Sequence, residues 1–327
     1  MDRGSFRRRW LRRRILRPLV SFSVITFAVT ALTFAITDVL PGDLAVAILG
    51  ESATADQLAG LRMELGLNRP AWVRYGEWLW QALHGNLGRS YRSNEAVSRM
   101  LADRLPVTFE LILISQLIAL GVAIPVGMLS AYLVRSRFDR VAGALSLGFL
   151  SLPAFVIGFL LIYGFAVYMR WLPAAGYRYW SDGVAVNLRS IALPAFTLAA
   201  AEFPVYMRLL RSDMIATLQQ DFVLVARAKG LAPWQILLKH ALKPSSLSLI
   251  TVVGVNAGRL VGGAVIVESL FDLPGVGQML VTAVYQKDYF AIQGIVLVVA
   301  VGFAAINVAV EASYALLDPR VRHALRR

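Results

Sequence analysis

The sequence predicts an all-α polytopic membrane protein of six transmembrane helices, and three observations carry that reading. The 327 residues are 57% hydrophobic and only 16% charged, with a mean hydropathy of +0.62, far more apolar than a soluble domain. Uncharged runs cover Val20–Thr37, Leu111–Val134, Val141–Met169 and Ala291–Val310, and about 20 apolar residues suffice for a helix to cross the bilayer. The basic residues, finally, gather in segments that alternate with these runs.

Two further spans are expected despite charge: Ser190–Met207, which contains Glu202, and Ser245–Ser269, which contains Arg259 and Glu268. With the N-terminus inside, the inner segments hold 21 basic against 5 acidic residues, whereas the outer ones are nearly balanced. That asymmetry places both termini in the cytoplasm. It divides the chain into a basic cytoplasmic arm at 1–18, a first span at 19–40, an extracytoplasmic helical insertion at 41–105 and a five-helix core at 106–327. Within the core lie a cytoplasmic loop, 213–243, and a cytoplasmic tail, 318–327. The arginine-rich start, RGSFRRRWLRRRILRP, has neither the aromatic interleaving nor the recognition-helix pattern of a nucleic-acid binder, and orientation against anionic headgroups accounts for it. No small-x-small cleavage site follows, so the first span is read as retained.

In the insertion, ATADQLAGLRMELGL spaces leucines as a helix, with Gly66 as its stop. RPAWVRYGEWLWQAL then puts Trp72, Tyr75, Trp78 and Leu79 at helical spacing, a stripe that suits packing on the spans, on the membrane interface or on a partner. Gly121, Gly127, Gly143, Gly148 and Gly158 allow close helix approach, and Pro125 and Pro153 are expected to kink their spans.

The most unusual stretch is DFVLVARAKGLAPWQILLKHALKP, Asp221–Pro244. Ile215, Leu218, Phe222 and Val225 form one apolar face running into ARAKG. Gly230 stands where a helix ends in a left-handed residue. Pro233 can open a second helix, with an apolar face of Trp234, Leu237, Leu238 and Ala241. By pattern alone this is either an interfacial loop on lipid or a helix pair presented to a partner.

The chain has no cysteine, no HExxH and no Gly-Lys-Ser/Thr phosphate loop, and its histidines, His84, His240 and His323, are scattered. No metal ligand set and no route to ATP hydrolysis by this chain alone is visible, nor an assembled nucleophile and base. Glu202, Arg259, Glu268 and Asn307 are the candidates for the pathway or an interface. As groups costly in hydrocarbon, Arg259 and Glu268 should face the bundle interior or the subunit interface.

ARAKGL followed by HAL at His240 resembles the cytoplasmic EAA loop of permease subunits in ABC importers. VLPGD at Val39–Asp43, LGLNRP at Leu65–Pro70, GNLGRSY at Gly85–Tyr91 and LPVTFEL at Leu105–Leu111 are similar to the B-type subunit of the dipeptide/oligopeptide/nickel family. So are GGAVIVESLFDLPGVGQML at Gly262–Leu280, DYFAIQG at Asp288–Gly294 and YALLDPRVR at Tyr314–Arg322. The resemblance implies a type I importer permease in a bacterial inner membrane. Such a subunit pairs with a second, homologous permease, sits on two ATPase subunits that bind ATP and magnesium, and receives cargo from an extracytoplasmic binding protein. It implies ATPase coupling through Leu224, Val225, Ala226, Arg227, Ala228, Lys229, Gly230, Leu231 and Trp234, and di- or oligopeptides as cargo. Nickel or glutathione-like cargo, or a stand-alone secondary transporter, are the alternatives.

Overall fold

The computed structural model describes residues 20, 23–36, 44–50, 52–64 and 66–317, with backbone alone for 44, 47, 48, 64 and 310–317. The basic arm, the flanks of the first predicted span, VLPGD, Leu65 and the tail at 318–327 lie outside the described residues. The described chain is almost wholly helical. Its helices are α1 Ser23–Ile36, α2 Leu44–Leu49, α3 Ala55–Glu64, α4 Ala71–Leu83, α5 Val97–Tyr132, α6 Arg137–Ser151 and α7 Ala154–Leu161. There follow α8 Val184–Leu218, α9 Asp221–Ala228, α10 Pro233–Gln235, α11 Leu242–Leu270, α12 Val276–Tyr285 and α13 Tyr289–Leu317.

Among the described residues four helical runs are long and apolar enough to span a membrane: α5, α8, the continuous stretch Pro233–Leu270, and Tyr289–Ala309 of α13. A fifth is broken. The run read from sequence as one span, Val141–Met169, is two helices, α6 and α7 with its π-helical continuation Ile162–Tyr168, bent by 106°. Pro153 sets the break: it excludes helical backbone from Leu152, which is extended at φ −96°, ψ 130°. Of the remaining predicted span, Val20–Thr37, the described residues include the apolar helix α1.

Helices outrun the apolar segments that reveal them. α5 has 36 residues, about 54 Å at 1.5 Å per residue, against a hydrocarbon core of about 30 Å. It begins at Val97 rather than at the first uncharged residue, Leu111, because Val97 and Leu101 are buried against α12 and α13.

The chain divides into two compact units, Met1–Pro106 with Gly275–Ala305 and Val107–Pro274 with Ile306–Arg327. In the first, α4 packs on α1: the Tyr75 hydroxyl lies 2.9 Å from Thr30 Oγ1, and its ring meets Phe27 and Phe34 edge-on. The aromatic stripe of α4 is therefore satisfied in part within the chain, by Tyr75 and the buried Trp78, while Trp72 points outward at 76% exposure. α3 ends at Gly66 as expected: its N–H donates to the Met63 carbonyl at 3.1 Å and Leu67 N–H to Arg62 at 2.9 Å, at a φ of +64°.

In the second unit α8 is the central element. Tyr206, Met207, Leu210 and Met214 pack with Ala119, Ala123 and Leu249, and Leu193 and Leu198 with Leu111, Ala264 and Phe271. Small residues permit the approach, since a Cβ at Gly127 would lie 3.0 Å from the Met207 carbonyl and one at Gly158 2.6 Å from Leu270 Cδ2. Asp139 clamps α6 to α8, accepting from Arg211 Nε at 2.6 Å and its η2 nitrogen at 2.7 Å. The same carboxylate takes the Arg135 N–H while Ser136 takes the Asp139 N–H, a reciprocal cap that starts α6.

Candidate functional site

The stretch Asp221–Pro244 is built as a short helix, a tight turn and a second helix. The apolar face expected to run unbroken from Ile215 to Val225 is interrupted, because α8 ends at Leu218 and α9 starts afresh at Asp221. At the other end α9 closes on Gly230, which has φ +74°. Its N–H donates to the Arg227 carbonyl at 2.9 Å and Leu231 N–H reaches back to Ala226 at 3.3 Å, the paired bonds of a Schellman cap. Leu231 packs beside Ala226, supplying the apolar contact that accompanies such a cap. Pro233 then opens α10, and the Gln235 side chain accepts from the Ala232 N–H at 3.2 Å. Instead of ending there, the second helix passes through a π-helical stretch, Ile236–Ala241, straight into the span.

This arrangement sorts the candidate residues into two faces. Ala226 turns inward with Val223 and Ile236, two residues the sequence pattern did not single out, and these three form the small core that joins α9 to α10. Leu224, Val225 and Trp234 point away from it at 54%, 53% and 56% exposure, together with the exposed Arg227, Ala228, Lys229 and Gly230. Behind the pair is a cleft of about 700 Å³ lined by Tyr132, Ile215, Leu218, Gln219, Arg227 and Leu231.

A second constellation lies between α5, α8 and α11. Asn256 Nδ2 donates to Glu202 Oε2 at 2.6 Å, the Tyr206 hydroxyl to Gln116 Oε1 at 2.9 Å, and Gln116 Nε2 to the Val253 carbonyl at 3.4 Å. Asn256 thus links α11 to the Glu202 carboxylate on α8. Glu202 is half-buried while Arg259 is exposed. Gln116, Tyr206 and Asn256 were not anticipated; the available signal was a Gln and an Asn inside apolar runs, where a buried amide needs partners.

Glu268 is fully buried and receives the Thr108 hydroxyl at 2.6 Å, which joins the LPVTFEL and VESLFDLPG segments. Two residues on, buried Glu110 accepts from the Tyr177 hydroxyl at 2.5 Å and from Trp180 Nε1 at 3.0 Å. Burial first, and the neighbouring carboxylate second, push the Tyr177 phenol well above its ordinary range, so it remains a donor. Asn187 completes the corner, donating to Tyr177 and to the Arg178 carbonyl. Asn307 is half-buried on α13.

Within the other unit, GNLGRSY and DYFAIQG meet. The Ser90 hydroxyl bonds Asp288, the Tyr91 hydroxyl bonds the Gln286 carbonyl, and Asp288 also takes the Ala291 N–H at the start of α13. A Cβ at Gly88 would touch the Phe290 ring at 3.2 Å, and one at Gly294 would overlap Val97 at 2.6 Å.

The helical core thus carries, at Asp221–Pro244, a capped pair of short helices whose exposed apolar side chains point away from it. The family model for the binding-protein-dependent transport system inner membrane component matches residues 123–323, and the model of the N-terminal part of such membrane components matches residues 9–112. The chain belongs to this family. It is a multi-pass inner-membrane permease subunit of an ABC importer, not an enzyme by itself. A peptide transport system permease protein of Brucella abortus is 38% identical over 309 residues, covering 94% of this chain and 98% of that one. A peptide ABC transporter permease protein of Sinorhizobium fredii is 35% identical over 94% and 99% of the two chains. The dipeptide transport system permease protein DppB of Alkalihalophilus pseudofirmus is 32% identical over 94% and 98%. In fold the chain is similar to the inward-facing MetNI methionine ABC transporter, with a TM-score of 0.56 at 17% identity, over 67% of this chain and 96% of that one.

Proposed function

We propose that this chain forms half of the translocation pathway of an ATP-driven importer of di- and oligopeptides. It pairs with a second homologous permease, receives cargo from an extracytoplasmic binding protein and rests on two ATPase subunits that carry ATP and magnesium. The cargo reading is supported by relatives named for peptide or dipeptide transport that match nearly end to end.

The observation that carries the coupling reading is the split of Asp221–Pro244 into an inward anchor, Val223, Ala226 and Ile236, and an outward apolar ridge, Leu224, Val225 and Trp234. Apolar side chains exposed on a rigid turn gain by entering a groove on a partner, while Arg227 and Lys229 steer the encounter. Because α10 continues without interruption into α11, a displacement imposed on the ridge would tilt a spanning helix as a lever. Closure of the ATPases would then rock the permease between outward- and inward-open states. Both termini and this ridge lie in the cytoplasm, and the 41–105 insertion outside, where it docks the binding protein or shapes the entrance.

The chain has no cysteine, so single cysteines report cleanly. With Ser93→Cys the thiol should react with an impermeant reagent in intact cells, and with Trp234→Cys it should not, but should cross-link to an ATPase subunit in the assembled complex. Labelling of position 234 from outside, or protection of position 93, would invert the topology and remove the coupling role.

A further inference from the structure

α11 carries a single guanidinium, Arg259, in a span whose other polar groups include the buried Asn256 and Glu268. Arg259 is exposed and makes no hydrogen bond or ion pair with another described residue. An arginine turned to hydrocarbon is costly, and such residues face protein or water. Its neighbours on the exposed face, at spacings of three and four, are Val255, Gly262, Ile266 and Ser269, so the surroundings include a glycine and a hydroxyl as well as aliphatic chains. One turn back, Asn256 holds the Glu202 carboxylate at 2.6 Å. The acid is thus held by a neutral donor of α11, while the base one turn on is left with its five N–H groups unengaged by described residues.

We propose that Arg259 is a specificity-determining residue in the pathway, which receives the C-terminal carboxylate of a short peptide in transit while Glu202 stands beside it as a fixed counter-charge. This rests on the peptide reading above. The guanidinium is a planar fork that matches a carboxylate with two parallel bonds, which a lysine ammonium cannot reproduce. A transport pathway also needs a site that binds enough to admit and little enough to release. An immobilised carboxylate close by supplies that limit, because it competes for the same guanidinium. Were Arg259 a structural ion-pair member, Glu202 would be hydrogen-bonded to it rather than to Asn256.

The test uses the complete complex with its binding protein and ATPases in proteoliposomes. Uptake of a tripeptide with a free C-terminus is compared with uptake of its C-terminal amide, each normalised by the affinity of the isolated binding protein for that form. Wild type should favour the free acid by about tenfold, the worth of one charge-assisted pair of bonds. Arg259→Gln should bring the ratio to within about twofold of unity, and Arg259→Lys should fall between. An unchanged ratio in an intact Arg259→Gln complex overturns the proposal. So does loss of the partner permease from that complex on purification, which would make Arg259 an interface residue. A wild-type complex that accumulates neither peptide form but another cargo defeats the peptide reading itself, a result readily told from the other two.

Discussion

Gly230 shows how one residue can set the direction of an element. A Cβ there would meet no atom within 4 Å, so the whole cost of a substitution lies in the backbone at φ +74°. Left-handed backbone costs an ordinary residue about 1–2 kcal/mol and asparagine less. Gly230→Val should therefore relax the Schellman turn, rotate α10 and lower cargo-stimulated ATP hydrolysis in reconstituted membranes, with Gly230→Asn intermediate and membrane insertion unaffected. Normal stimulated hydrolysis in Gly230→Val would show that the turn transmits nothing. Thr108 is the second residue-scale test. Its hydroxyl serves the fully buried Glu268 carboxylate, and removing a donor from a buried acceptor costs about 1–3 kcal/mol. Thr108→Val should lower the melting temperature of the detergent-purified protein measurably, whereas Thr108→Ser, which keeps the hydroxyl, should restore most of it.

At the scale of elements, two contacts explain segments whose meaning the sequence left closed. Gly294 of α13 faces Val97 of α5, where a Cβ would come within 2.6 Å. Gly294→Ala should overpack this contact by about 1–3 kcal/mol, and Val97→Ala in the same chain should recover part of the loss, read as the melting temperatures of the single and double variants. No recovery would mean the glycine serves something other than this approach. The clamp between α6 and α8 rests on the doubly bonded Asp139 and Arg211. Arg211→Lys keeps the charge but loses the fork, so it should retain only part of the coupling energy in a double-mutant cycle with Asp139→Asn. Both contacts were invisible in sequence for one reason: the partners are remote along the chain, and neither periodicity nor composition encodes which helix meets which. The turn at Gly230 and the helix start at Pro233 were legible because a positive φ and a missing N–H are local requirements that few residues meet. The 106° break within Val141–Met169 was only half legible, since Pro153 signalled an interruption but not its angle.

For the molecule as a whole, what was legible followed from the solvent. Lipid admits few charges, so uncharged runs marked the spans. What was not legible is where apolar helices continue into protein: α5 starts well before its uncharged run and Pro233–Leu270 takes in part of what reads as loop. That continuity bears on the proposed coupling, in which a push on the outward ridge of Leu224, Val225 and Trp234 would act on the end of a lever. The most direct measurement is ATP-dependent accumulation of a labelled peptide by proteoliposomes containing the full complex, compared with a complex carrying Leu224→Asp and Trp234→Asp. Wild type should accumulate peptide only with ATP and binding protein present. The double variant, which alters side chains that point outward and leaves the Val223–Ala226–Ile236 anchor intact, should reach the membrane, lose most of its ATPase subunits and accumulate nothing. Equal ATP-driven accumulation by the two complexes would contradict the claim that this ridge couples the chain to its energy source.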